Sequence, residues 1–118
     1  MVQVQVKTLD RLDKLFMRQD VLQRRLGNFP LEPHATQQFI TTQSIALIDE
    51  VMEALRETPW KPWKKQQPYE QENFKEELVD AWHFLINLSL ASGMNSNELF
   101  KRFIKKNKAN HKRQDNDY

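Results

Sequence analysis

Cysteine is absent from this 118-residue chain. That removes disulfide staples and thiol chemistry and suits a reducing compartment, so the cytoplasm is the expected location. Glycine is nearly as scarce: only Gly27 and Gly93 occur, each just past a stretch with helical periodicity, where a left-handed residue ends a helix. The five prolines fall in two short stretches, Pro30/Pro33 and Pro59/Pro62/Pro68, so none interrupts the segments between. No uncharged apolar run reaches the roughly 20 residues of a membrane span, because Asp80, His83 and Asn87 break the best candidate. Residues 1–7 lack the apolar core of a signal peptide. Val2, Val4 and Val6 alternate there with polar residues but have no second strand to pair with, so this end is expected to be frayed or held by an oligomer. What these absences leave is an all-α chain, one domain over residues 1–118, able to bury a modest core.

Four helices are expected, in a four-helix antiparallel bundle-like subunit. The first starts at a cap on Thr8 or Asp10 and runs to about residue 26, with Leu9, Leu12, Leu15, Phe16, Leu22 and Leu26 as its apolar face. The second covers about 35–57 and the third about 70–92. The fourth starts at Asn95 or Ser96 and turns Leu99, Phe100, Phe103 and Ile104 inward. The apolar residues Ile40, Ile45, Trp82 and Leu90 exceed what one small subunit hides, which predicts a homodimer or a homotetramer built from dimers.

The third helix organises the rest. It reads as an interior helix, yet carries Glu77, Asp80, His83 and Asn87 at steps of three, three and four, a spacing that stacks side chains along one face. The second helix carries Glu50 and Glu53, also three apart in an apolar run. Burying unpaired carboxylates is costly, so two such pairs facing each other need a counter-charge. An all-oxygen ligand set without cysteine suits Mg²⁺, with Mn²⁺ able to substitute, rather than zinc or copper.

Two stretches lie outside these acid pairs. The loop at 58–69 sets Trp60 and Trp63 among prolines and lysines. The two indoles either plug one end of the bundle or wall a nucleobase pocket, with Lys61, Lys64 or Lys65 near phosphates. Residues 101–118 hold seven Lys/Arg against two Asp, leaving eleven against fourteen acids in the first hundred. The basic tail over 105–118 is either a solvated helix end or a polyphosphate clamp, since Lys106, Asn110 and Arg113 fall along one side.

These motifs resemble those of the all-α nucleoside triphosphate pyrophosphatases, the superfamily of dimeric dUTPases and MazG-like enzymes. Its ExxE and ExxD pairs are matched by Glu50/Glu53 and Glu77/Asp80, and residues 76–84 are similar to the EELVD-x-x-HF segment of dimeric dUTPases. The tail from Lys106 to Gln114, with the terminal Tyr118, resembles that family's KN-x-x-N-x-x-RQ and final Tyr. The resemblance runs over about residues 12–118. It implies hydrolysis of a deoxynucleoside triphosphate, dUTP foremost, to the monophosphate and pyrophosphate. Glu50, Glu53, Glu77 and Asp80 would hold Mg²⁺, and Glu50 or Glu53 would help deprotonate the attacking water. Lys106, Asn110 and Arg113 would grip the β- and γ-phosphates, with Lys64 and Tyr118 also on the substrate side. By the same resemblance Gln19 and a loop Trp meet the base, and His83 and Phe84 sit beside the deoxyribose, with Asn87 further along their helix.

The chain departs from the family pattern at three places. Gln23 stands where Asn is usual, Trp82 where Leu or Ile is usual, and Asp117 where Gly precedes the last Tyr. Gln23 bears on base choice, so the same chemistry on dGTP, dATP or dCTP is the alternative. Other readings explain less. A di-iron carboxylate protein needs ExxH sets that this chain offers only as Asp80/His83. A helical nucleic-acid- or protein-binding module accounts for the tail but not for four acids in apolar helices. Neither nucleic acid nor membrane is required by the reading.

Overall fold

A computed structural model describes residues 8–28 and 36–116. Residues 1–7, the Pro30/Pro33 link, Asp117 and Tyr118 lie outside them, so the expectations for those positions are not addressed by the structure. The described residues are all-α: α1 (Arg11–Arg25), α2 (Gln37–Arg56), α3 (Gln71–Ala91) and α4 (Ser96–Asp115).

The ends have local causes. Asp10 caps α1 through a reciprocal box with Asp13, Thr36 caps α2 and Asn95 caps α4, each satisfying a backbone N–H that the helix cannot. Gly27 and Gly93 take left-handed backbone angles (φ +83° and +85°) just after α1 and α3, where a β-carbon would be strained. There Met94 N–H reaches back to the Ser89 carbonyl and Asn28 N–H to that of Gln23, which closes the last turns.

α2 and α3 pack along each other as a long antiparallel hairpin, and this is the most extensive helix contact. The Glu70 N–H donates to the Glu57 carbonyl at 2.9 Å and ties the base of the hairpin together. α1 lies against α3, where Phe16, Ile86 and Leu90 are buried as one cluster flanked by Leu12, Phe39 and Leu99. α4 packs on α1. Its Ser96 hydroxyl donates to Asp13 of α1, while residues 105–115 are all exposed.

Several faces differ from the apolar pattern. α1 buries Asp13, Phe16, Gln19 and Gln23, while Leu9, Leu15, Leu22 and Leu26 stay exposed. Asp13 and Gln19 find hydrogen-bond partners there on α4 and α3, and Gln23 accepts from Asn28 just past its own helix. Phe100 and Phe103 of α4 are 57% and 63% exposed, because α4 packs on α1 near its start and not along the hairpin. α3 is not interior all round, since Val79, Trp82 and Leu85 face outward. Ile45 and Trp82 are exposed, Ile40 is half-buried and Leu90 is buried. The subunit is therefore open. Its radius of gyration is 18.6 Å, against about 13–14 Å for a compact chain of this length.

Candidate active site

The acid pairs meet where the hairpin brings α2 and α3 side by side. Glu50 and Glu53 lie one turn apart on α2, and Glu77 faces them from α3. One carboxylate oxygen from each lies within 4.8 Å of the other two. All three are half-buried. Asp80, expected as the fourth member, is exposed and stands outside this triad. Its charge still reaches Glu50, whose carboxyl is pushed up to about 7, first by burial, then by its hydrogen bond with Glu77 and the charges of Glu53 and Asp80. Burial, the bond to Glu77 and the charge of Asp49 push Glu53 up as well.

One oxygen of Glu50, Oε2, is buried without a hydrogen-bond partner. Among the described residues no ion pair neutralises the triad. Three crowded carboxylates and an orphaned buried oxygen are of the kind that could hold a hard divalent cation.

About ten residues further along α3, a second polar group is fully engaged. Asn87 is 2% exposed; its Oδ1 accepts from Gln19 Nε2 of α1 at 2.7 Å, and its Nδ2 donates to Gln43 Oε1 of α2 at 2.8 Å. This amide chain crosses all three helices. Gln23, also buried, accepts from Asn28 Nδ2 at 2.8 Å. Sequence reasoning missed Gln43, Asn28, Asp13 and Ser96. Gln43 had a signal, because it lies four residues before Leu47 and seven before Glu50, on the same stripe of α2.

The polar line on α3 is thus split. Glu77 and Asn87 face inward, whereas Asp80 and His83 are exposed, and His83 Nδ1 lies 2.8 Å from the Val79 carbonyl of its own helix. Phe84 is half-buried. Gln19 and His83 nevertheless line one groove of about 600 Å³ between α1 and α3, walled mainly by Leu15, Leu22, Val79 and Trp82.

The hairpin loop holds its indoles edge to face, with ring centroids 5.6 Å apart and planes at 84°. Lys61 Nζ stands 5.6 Å over Trp60. Trp63 is 69% exposed, so it does not plug the bundle within one chain, and Lys64 beside it is exposed. On α4, Lys106 and Asn110 line a shallow groove with Met94, Leu99, Arg102 and Phe103, to which neither α2 nor α3 contributes. Arg113 lies further along the exposed end of α4.

Curated proteins are similar to part of this chain. The chain is 41% identical over 71 residues to a dCTP pyrophosphatase of Enterobacteria phage T4, covering 50% of this chain and 42% of that protein. It is 39% identical over 71 residues to a dCTP pyrophosphatase of Enterobacteria phage LZ5, covering 50% and 41%. A DNA replication protein of phage T4 is 38% identical over 61 residues, covering 42% of this chain and 16% of its own length. The chain therefore spans less than half the length of these relatives. No solved structure matches it. A family model described as dUTPase matches residues 11–98, a span that takes in α1, the whole acid hairpin with its tryptophan loop, and the start of α4. That match covers well over half of the chain and includes both acid pairs, and on it this protein belongs to that dUTPase family.

Proposed function

We propose that the chain hydrolyses a deoxypyrimidine nucleoside triphosphate to the monophosphate and pyrophosphate, working as a two-fold dimer. The observation that carries this reading is the triad of Glu50, Glu53 and Glu77 with its orphaned buried oxygen. Those three carboxylates, with Asp80 at their edge, would hold Mg²⁺; when bound, such a cation neutralises phosphate charge and acidifies water. Glu50 or Glu53 takes the proton of the attacking water, as a carboxylate of raised proton affinity is suited to do. The water oxygen bonds to the α-phosphorus, the bond from that phosphorus to the bridging oxygen breaks, and pyrophosphate leaves.

Lys106, Asn110 and Arg113 grip the β- and γ-phosphates, with Lys64 and Tyr118 as further substrate contacts. Gln19 reads the base edge, with Trp60 or Trp63 over its face and Gln23 shaping the pocket. Asn87 supports Gln19 through its 2.7 Å hydrogen bond. His83 and Phe84 crowd the sugar 2′ position and favour deoxyribose. That Gln19 and His83 share the α1–α3 groove supports this division.

The motifs favour uracil as the base. A second reading, cytosine, is favoured by the phage relatives named for dCTP. An amide side chain offers both a donor and an acceptor and turns over to suit either base. A panel of the eight common NTPs and dNTPs plus dUTP, assayed for pyrophosphate release with Mg²⁺ and with EDTA, tests the reading. The expected result is Mg²⁺-dependent release that is strongest with dUTP or dCTP and at least about 100-fold weaker with UTP and CTP. Preference for a purine would overturn the base assignment, and release indifferent to EDTA would overturn the metal site.

A further inference from the structure

The pieces that the proposed chemistry needs are not assembled within one chain. The acid triad lies on the α2–α3 hairpin. The cations that would hold the leaving pyrophosphate lie on α4, which packs on α1 and not along that hairpin. Lys106 and Asn110 border a groove built from α4 and Met94. From residue 105 to 115, α4 is exposed and carries Lys105, Lys106, Lys108, Lys112 and Arg113 against a single Asp115. The hairpin edge is opposite in sign: Asp49 and Asp80 flank the triad there, and no described ion pair neutralises any of the five carboxylates.

Apolar exposure points the same way. Phe100 and Phe103 stand out on α4, while Ile45 and Ile48 stand out on α2 beside the acid pair, at 61% and 63% exposure. Surfaces of that kind, in a chain far more extended than a compact one, mark contact with another polypeptide. A helix of twenty residues is about 30 Å long, enough for α4 to lay its basic half along a neighbour's hairpin while its first turn stays pinned to Asp13.

We propose that α4 completes the acid site of a second copy of this chain. In a two-fold dimer each α4 crosses to its partner, seats Phe100 and Phe103 on apolar surface there, and presents Lys106, Asn110 and Arg113 to phosphates held at the partner's triad. Opposite charge supplies the register, and the arrangement is reciprocal. The inference rests on the pyrophosphatase reading for what the cations grip, but not for where α4 goes.

Two measurements on the full-length chain test it. In the first, Glu77→Gln chains and Lys106→Ala/Arg113→Ala chains, carrying different tags, are mixed through denaturant and the mixed dimers are purified by both tags. If α4 acts across the dimer, one of the two sites has an intact triad and an intact α4, and turnover returns to about half that of the wild-type dimer. If α4 serves its own chain, both sites stay broken and activity remains at the level of the parents, which overturns the proposal. The second measurement needs no activity and uses the absence of native cysteine. Asn110→Cys and Asp49→Cys chains with different tags are mixed and treated with a short bis-maleimide. A covalent species carrying both tags is expected. In a chain carrying both Asn110→Cys and Asp49→Cys, a cross-link that stays within one chain overturns the proposal, as does a monomeric mass of the wild type by light scattering at micromolar concentration. If the wild type releases no pyrophosphate, the activity reading fails while the cross-link still decides the path of α4.

Discussion

α3 carries two buried polar groups about ten residues apart, and they are finished differently. At Asn87 every partner is present: Gln19 donates from one side, Gln43 accepts on the other, and three helices are locked together by two short hydrogen bonds. At Glu77 the partners are more carboxylates, Glu50 and Glu53; burial and Glu77 raise the proton affinity of both, and Glu50 Oε2 is left unpaired. A satisfied polar cluster specifies packing, because removing one member strands the others. An unsatisfied one stores repulsion that a ligand of opposite charge relieves. The same helix therefore holds a structural joint and a crowded acid cluster, and the joint keeps α2 and α3 in register so that the acids meet.

Substitution at the acid triad should separate the two groups most sharply. Glu50→Gln, Glu53→Gln and Glu77→Gln are each expected to lower kcat for pyrophosphate release by at least about 100-fold, since even the outer partners of metal ligands cost 10–100-fold. The fold should be unharmed, and the apo melting temperature unchanged or raised, because one repelling charge is gone. Near-normal turnover in two of these three variants would show that the triad is not the site.

Asn87→Ala should do the reverse. It leaves the amides of Gln19 and Gln43 buried without a partner, at a cost of about 1–3 kcal/mol, measurable by urea denaturation at fixed protein concentration. If Glu77→Gln destabilised the chain as much as Asn87→Ala does, the distinction between joint and acid cluster would collapse.

The smallest effect is on pH dependence. Glu50 is held at about 7 in the folded chain against an ordinary value of 4.5, so the folded state binds this proton more tightly than the unfolded state does. The stabilisation is complete below pH 4.5 and is lost as pH rises through 7. The apo melting temperature should therefore fall across that window, and Glu50→Gln should flatten the fall. Mg²⁺ should raise the melting temperature most at the alkaline end, where the acids are ionised and the cation binds only the folded state. A melting temperature indifferent to Mg²⁺ at pH 8 would count against the metal site.

How far the sequence could be read depended on whether partners were local. Caps at Asp10, Thr36 and Asn95, stops at Gly27 and Gly93, and the i, i+3 placing of Glu50 with Glu53 all act within a turn or two of chain. Helices and acid pairs were therefore legible. So was the need for a counter-charge, since apolar neighbours make carboxylates costly wherever the helix packs. The inward face of α1 was not legible. Leu9, Leu15, Leu22 and Leu26 form as good an apolar stripe as Phe16 does with Asp13, Gln19 and Gln23, and periodicity cannot tell which stripe meets its own chain and which is left outside.

The amino-acid sequence by itself determined that the chain is all-α, that its four helices begin and end close to where they do, and that two acid pairs ride on neighbouring helices. These properties follow from short-range backbone sterics, capping and side-chain period. Only the tertiary structure decided that Glu77 joins Glu50 and Glu53 while Asp80 stands aside, that Asn87 ties α1 to α2, and that α4 packs on α1 with its cations exposed. Those outcomes depend on partners as far apart as 83 positions, as Asp13 and Ser96 are. Such pairings are chosen by which surfaces can pack and which buried groups can be satisfied together, and no local pattern records that choice.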